Sequence, residues 1–190
     1  MTRIAILASG SGSNAEAIMK ALQGSDEIQV GVVISNNSGA GVLARAEKFN
    51  VPRKVVNTAQ VKKGELLQVL LKNEINYIVL AGYMKLIPKD IIETFENKIV
   101  NIHPALLPKY GGKGMYGENV HKAVAEANEN ESGITIHYVN QKYDDGAIIF
   151  QARVPLDSTD SSIDIGEKVL ELEHRYYPEI IKEIIMNANH

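Results

Sequence analysis

The first half of the chain alternates short, β-branched apolar runs with stretches whose apolar positions recur every three or four residues. Residues 4–8 predict a strand, and residues 14–23 a helix that Gly24 stops. A second strand is expected over 30–35, a second helix over 41–49 and a short third strand over 51–56. Residues 65–73 read as helical, with Leu66, Leu67, Val69, Leu70 and Leu71 crowding one side. The unbroken apolar run 77–80 suits a strand covered on both faces, and 98–102 is a further strand. Strands and helices in this order predict a parallel sheet with right-handed crossovers.

The pattern changes in the second half. A helix is expected over 121–127. Residues 133–139 alternate, with Ile134, Ile136 and Tyr138 against Thr135 and His137, and residues 147–154 alternate likewise. Asp144-Asp145-Gly146 between them is turn chemistry, so the two runs predict an antiparallel hairpin added to the sheet. From 161 to about 187 the apolar positions Ile165, Val169, Leu172, Tyr176, Ile180 and Ile184 make an amphipathic helix, bent near Pro178. The predicted fold is therefore a three-layer, doubly wound α/β domain over residues 1–190, its mainly parallel sheet extended by a hairpin.

Composition narrows the function classes. With 190 residues, 45% apolar and 23% charged, the chain is an ordinary globular domain rather than a disordered, collagen-like or coiled-coil one. Twenty Lys and Arg against 23 Asp and Glu leave a net charge of −3, which argues against bulk binding to nucleic acid or a membrane surface. The absence of cysteine excludes disulfides, a thiolate nucleophile and a Cys-ligated metal, and fits a reducing cytoplasm. The chain opens directly into a strand rather than a signal peptide, and its longest uncharged stretch, 28–44, is broken by Ser, Asn and Gly, so no membrane span is expected. No His groups with carboxylates at ligand spacing, so no metal site is expected.

Two segments carry chemistry. Ser9-Gly10-Ser11-Gly12-Ser13-Asn14-Ala15 follows the first strand and opens the first helix. Small side chains there let backbone N–H groups at a helix N-terminus approach a phosphate. A dinucleotide site would also want an acid near the end of strand two, where the chain reads Ser35-Asn36-Asn37. The loop thus points to a single phosphate monoester; the plainer alternative is a tight turn with Ser13 or Asn14 capping the helix. The second segment is Asn101-Ile102-His103-Pro104, at the carboxyl end of a strand, where open α/β sheets hold ligands. Alternation sets Asn101 and His103 on one side. An amide and a protonated imidazole side by side can stabilise an oxyanion. A cationic histidine needs a carboxylate partner, for which Asp144 and Asp145 both qualify.

Asn101-Ile102-His103-Pro104-Ala105-Leu106-Leu107-Pro108-Lys109-Tyr110 resembles the signature of the folate-dependent formyltransferases. The first glycine loop, the segment 80–87 (Leu80-Ala81-Gly82-Tyr83-Met84-Lys85-Leu86-Ile87), the step from His137 through Asp144 and Gly146 to Gln151, and Leu170-Glu171-Leu172-Glu173-His174 with Tyr177-Pro178 are also similar to that family, in the right order along the chain. The loop and the last helix resemble its glycinamide ribonucleotide-specific branch. The resemblance implies a formyltransferase-like fold and transfer of a formyl group from 10-formyltetrahydrofolate to the primary amine of glycinamide ribonucleotide, in purine synthesis. Asn101 and His103 would hold the oxyanion, with His103 as cation and proton donor. Asp144, rather than Asp145, would raise the pKa of His103 and relay protons through water. Gly12, Ser13 and Asn14 would hold the phosphate, and Leu170, Glu171, Leu172 and Glu173 would line the ribonucleotide site, with the Glu173 carboxylate on the sugar hydroxyls. Backbone groups of Met84, Lys85, Leu86 and Ile87 and of Asn140, Gln141, Lys142, Tyr143 and Asp144 would bind the folate. Both partners implied are small molecules, with no metal, nucleic acid or membrane; a homodimer is one assembly the sequence leaves open.

The chain departs from the family after Tyr110. Pro-Gly and a short His-x-His segment are usual there; here Gly111-Gly112-Lys113-Gly114-Met115-Tyr116-Gly117 suggests a longer, mobile loop at the site, with His121 matching the second histidine. The basic residue for the folate tail is Lys62 or Lys63. His137, His174 and His190 read as structural or solvent-facing. Within the family, a methionyl-tRNA formyltransferase would carry a further C-terminal domain and a formyltetrahydrofolate hydrolase an extra N-terminal one. A phosphate-binding module without chemistry would leave Asn101, His103 and Asp144 idle.

Overall fold

The computed structural model describes residues 1–188; His190 lies outside them. Seven strands form one sheet in the order β3-β2-β1-β4-β5-β6-β7. β1 (Thr2–Leu7), β2 (Ile28–Ser35), β3 (Arg53–Val55), β4 (Tyr77–Leu80) and β5 (Ile99–His103) run parallel. β6 (Glu131–Tyr138) pairs antiparallel with β5 and with β7 (Ile148–Pro155), the expected hairpin. The residues between β6 and β7, 139–147, form a nine-residue connection rather than a tight two-residue turn.

Helices cover both faces. α1 (Ser13–Ala21), α2 (Gly41–Lys48), α6 (Glu118–Glu126) and α7 (Ser162–Ala188) close one side, where Ile4, Ile6, Val79, Ile134 and Ile136 meet Ile18, Val42, Val124 and Val169. α3 (Thr58–Lys62), α4 (Glu65–Lys72) and α5 (Lys89–Thr94) lie on the other, where Leu7, Ile34 and Ile78 meet Leu66, Leu70 and Ile91. All four residues of β4 are buried, as its unbroken apolar run requires.

One boundary and two short helices differ from expectation. α6 begins at Glu118, three residues before His121, because Gly117 ends the glycine-rich loop. α3 and α5 were not legible: five and six residues long, they are shorter than two helical turns and show no full apolar period. α3 is set instead by a local device, a capping box in which Asn57 accepts from the Gln60 backbone and Gln60 reciprocates. α7 runs through Pro178 to Ala188. Its fully buried Tyr177 donates its hydroxyl to the carbonyls of Leu80, at 2.8 Å, and Val100, at 3.2 Å, pinning the helix to the ends of β4 and β5.

Candidate active site

The strand order reverses at β1, whose neighbours β2 and β4 continue in opposite directions. The loops leaving β1 and β4 at their carboxyl ends therefore diverge and open a crevice. They are stitched together at its base: the Ser9 N–H donates to the Gly82 carbonyl at 3.0 Å, and the Met84 N–H to the Ser9 hydroxyl at 2.9 Å. A cleft of about 510 Å³ extends from there across β5 and β6.

At one end lies the glycine loop. Gly12 takes φ +79° and is the N-cap of α1. Neither Ser13 nor Asn14 caps the helix with its side chain, because the loop turns one residue earlier than that reading required. Gly41 of α2 packs against the Ser11 backbone, so that a Cβ there would lie 3.1 Å from the Ser11 carbonyl oxygen. Arg45 Nε donates to that same carbonyl at 2.8 Å. At the end of β2, Asn36 accepts from the Ser9 hydroxyl at 2.5 Å, so a neutral amide stands where a dinucleotide site would hold an acid. Asn14 turns into the cleft and donates its Nδ2–H to Glu173 at 2.8 Å. Of the α7 residues singled out, only Glu173 lines the cleft; Leu170 and Glu171 are exposed and Leu172 packs on the core. Burial pushes the Glu173 carboxyl up to about 7, against the opposing effect of Asn14.

At the centre stand Asn101 and His103 of β5, on one face of the strand and both lining the cleft. Asp144, with φ +51°, turns its carboxylate back onto them from the β6–β7 connection. Its Oδ2 lies 3.6 Å from His103 Nδ1 and accepts from the Gly112 N–H at 2.9 Å. Asp145 faces away, exposed, against Asn140 and Lys142. His103 Nε2 donates to the Tyr110 carbonyl at 2.7 Å. Thr135 and Gln151 hold the loop between β5 and Tyr110, for the Leu107 N–H donates to the Thr135 hydroxyl, which donates to the Ala105 carbonyl, while Gln151 donates to the Leu107 carbonyl.

The electrostatics correct one expectation. Asp144 and the Tyr110 carbonyl do favour the His103 cation, but burial outweighs them, and the His103 pKa falls below its ordinary value of 6.5. For Asp144, burial works to raise the pKa and is overcome by His137, His103 and the Gly112 N–H, so it is lowered and the carboxylate stays ionised.

His137, read from sequence as structural or solvent-facing, sits inside the site. It is 1% exposed, with Nε2 3.1 Å from Asn101 Nδ2 and 3.7 Å from Asp144 Oδ1. The signal was present: His137 occupies the polar phase of the β6 alternation, and the antiparallel register sets it opposite Asn101. His121 also lines the cleft, packed on Gly166 of α7, with its buried Nδ1 finding no hydrogen-bond partner among the described residues. His174 is exposed on α7.

The other end of the cleft is mixed, with apolar side chains beside two lysines and an asparagine. Met84, Lys85, Leu86 and Ile87 all line it, with Met84 and Leu86 half exposed, as do Asn140, Lys142 and Tyr143; Gln141 does not. Residues 112–117 form its outer wall, with Gly112, Gly114 and Gly117 at positive φ. Lys62 and Lys63 are exposed at the end of α3 and do not line it. Among the described residues, no group of three His, Asp or Glu side chains is placed to hold a metal ion, and no helix is long and apolar enough to cross a membrane.

Comparison with known proteins gives this arrangement a family. The family model described as formyl transferase matches residues 2–181. The chain belongs to the formyl transferase family. It is 38% identical over 189 residues to the chloroplastic phosphoribosylglycinamide formyltransferase of Arabidopsis thaliana, covering 96% of this chain and 65% of that protein. The chain thus spans just under two thirds of that plant relative. Identity to the phosphoribosylglycinamide formyltransferase of Haemophilus influenzae is 38% over 191 residues, covering 96% of this chain and 86% of the relative. The crystal structure of the enzyme of that name from Anaplasma phagocytophilum superimposes with a TM-score of 0.90 at 34% identity, covering 98% of this chain and 88% of the other.

Proposed function

We propose that this chain is a phosphoribosylglycinamide formyltransferase, acting as a single domain that transfers the formyl group of 10-formyltetrahydrofolate to the primary amine of glycinamide ribonucleotide. The observation that carries the reading is that one cleft joins three things: Asn14 and Glu173 beside the first turn of α1, the Asn101–His103–Asp144 group, and a pocket between the β4 and β6–β7 loops. The apolar wall of Met84, Leu86 and Tyr143 fits the flat ring of a folate, and the neighbouring backbone can read its hydrogen-bonding edge. That co-substrate supplies the formyl carbon; the C–N bond to the ribonucleotide amine forms as the bond to the folate nitrogen breaks.

The chain's own groups do the rest. The Asn101 amide donates a hydrogen bond to the carbonyl oxygen as negative charge grows there. His103, when protonated, supplies a positive charge beside it and gives its proton to the folate nitrogen as the bond to that nitrogen breaks. Asp144 holds that cation and takes up the proton lost by the attacking amine. No side-chain nucleophile is needed, because the substrate amine is the nucleophile. Ser13 and Asn14, with the turn at Gly12, receive the phosphate, and Glu173 the ribose hydroxyls. The loop 111–117 shields the reacting centre from water. The enzyme works in the cytoplasm, without a metal, on small-molecule substrates.

The test is to incubate the purified chain with 10-formyltetrahydrofolate, with and without glycinamide ribonucleotide, and follow tetrahydrofolate release. Release only with the ribonucleotide is expected. Release without it would make the protein a hydrolase, and no release in either mixture would leave a phosphate-binding module.

A further inference from the structure

The register of β5 on β6 sets Asn101 opposite His137 and His103 opposite Thr135. The roles proposed above use Asn101 and His103 but leave His137, an almost wholly buried histidine, without one. Its two nitrogens meet different neighbours. Nδ1 lies 2.8 Å from the Tyr138 carbonyl oxygen. A carbonyl only accepts, so Nδ1 carries a proton. Nε2 faces the Asn101 amide at 3.1 Å, and whether it gives or takes depends on the charge of the ring.

Asp144 decides that charge. One carboxylate stands between two imidazoles, its Oδ2 3.6 Å from His103 Nδ1 and its Oδ1 3.7 Å from His137 Nε2. One negative charge offsets one cation, and a second cation in so dry a pocket would be uncompensated. With the cation on His103 during transfer, Asp144 is already paired, His137 no longer donates to it, and the ring is neutral. A neutral ring protonated on Nδ1 has a bare Nε2, which can only accept. The end of the Asn101 amide that meets it is then the Nδ2–H end, since an inverted amide would set a carbonyl oxygen against a lone pair.

We propose that His137 is a positioning residue: in its neutral Nδ1–H form it accepts one N–H of Asn101, fixes the amide against inversion, and so keeps the second N–H of that nitrogen available to the reacting oxygen. This rests on the reading of Asn101 as the oxyanion donor.

Steady-state rates and a histidine spectrum test it together. In the full chain labelled with 15N-histidine, held at a pH where His103 carries the cation, His137 is expected as a neutral ring with a protonated Nδ1 and a bare Nε2; a proton on Nε2 there overturns the proposal without reference to activity. His137→Leu is expected to lower kcat about 10²-fold, the scale of a misplaced catalytic group, with both KM values little changed. His137→Gln, whose side-chain oxygen can accept from Asn101, should recover most of that loss. The double variant Asn101→Ala/His137→Leu should be no slower than Asn101→Ala. A near-wild-type His137→Leu, a Gln variant as slow as Leu, or losses that multiply in the double variant would each overturn it, the last by routing His137 through Asp144. If His137→Leu does not fold, the spectrum of the unaltered chain and the Gln variant decide. Wild-type kcat in Asn101→Ala would instead overturn the oxyanion reading itself, a result distinct from all of these.

Discussion

Asn14, in the first turn of α1, donates to the Glu173 carboxyl at 2.8 Å and so joins two residues 159 apart in sequence across the glycine-loop end of the cleft. Among the described residues this is the one hydrogen bond given to the side chain of Glu173, a residue 8% exposed, and burial therefore holds its pKa at about 7 against 4.5 ordinarily. A carboxyl whose folded pKa is raised stabilises the fold fully below its unfolded value, and that stability is lost as pH rises through the folded one. Between pH 4.5 and about 7 the unliganded chain should lose stability on the order of 3 kcal/mol from this group. Glu173→Gln, which stays uncharged, should show no such loss. Melting temperatures of the two proteins should agree near pH 4.5 and diverge above pH 7, with the variant higher. Parallel pH profiles would refute the assignment. The same variant should bind glycinamide ribonucleotide more weakly.

Gly12 is required twice over. Its φ of +79° is one that side chains rarely adopt, and a Cβ there would fall 2.5 Å from Val42 Cβ and Cγ2. Gly12→Ala should cost about 1–3 kcal/mol, combining left-handed strain with overpacking. It should also raise KM for the ribonucleotide and spare that for the folate, because the loop is the proposed phosphate site. Val42→Ala should restore only part of the stability, since it removes Cγ2 but leaves Val42 Cα 2.7 Å from the new atom. Unchanged ribonucleotide affinity in Gly12→Ala would reduce the loop to a turn.

Much of the fold was legible because its signals are local. The apolar run 77–80, the alternation over 133–139 and the spacing of Ile165, Val169 and Ile180 each state a period that one element satisfies. The site was legible where its residues share a strand, as Asn101 and His103 do. It was less so where partners meet through pairing or packing. The place of His137 depends on the β5–β6 register, and the burial of Glu173 on how α7 lies over α1. The choice of Glu173 over Leu170, Glu171 and Leu172 depends on which face of that helix turns to the cleft. The sense of the His103 shift depends on a desolvation that no spacing encodes.

Asp144 and Asp145 are neighbours with opposite surroundings, and their amides should behave accordingly. Asp144 is part-buried between His103 and His137, whereas Asp145 is exposed beside Lys142. Asp144→Asn removes the charge that favours the His103 cation and the proposed acceptor for the amine's proton, so kcat should fall by about 10²-fold or more, the scale of general acid–base catalysis. Asp145→Asn should stay within about twofold, as an exposed pair is worth little. Comparable losses in the two variants would sink the hairpin assignment.

His103 makes the sharpest pH prediction, because its environment pulls in two directions. Burial lowers its pKa; Asp144 and the Tyr110 carbonyl raise it, and the net shift is downward. Its proton should therefore leave below pH 6.5, as followed by the ring's NMR signals in the unliganded protein. In Asp144→Asn the main favourable charge is gone while the burial stays, so the midpoint should move lower still. The fraction of cation available for catalysis falls as pH rises through this midpoint, so a His103-dependent rate should decline earlier in the variant than in the wild type. His103→Ala should lose about 10²–10³-fold in kcat, the typical effect of removing one group that stabilises a developing oxyanion. A midpoint that rises in Asp144→Asn would mean that the carboxylate does not face the cation, and a near-wild-type His103→Ala would remove the imidazole from the reaction.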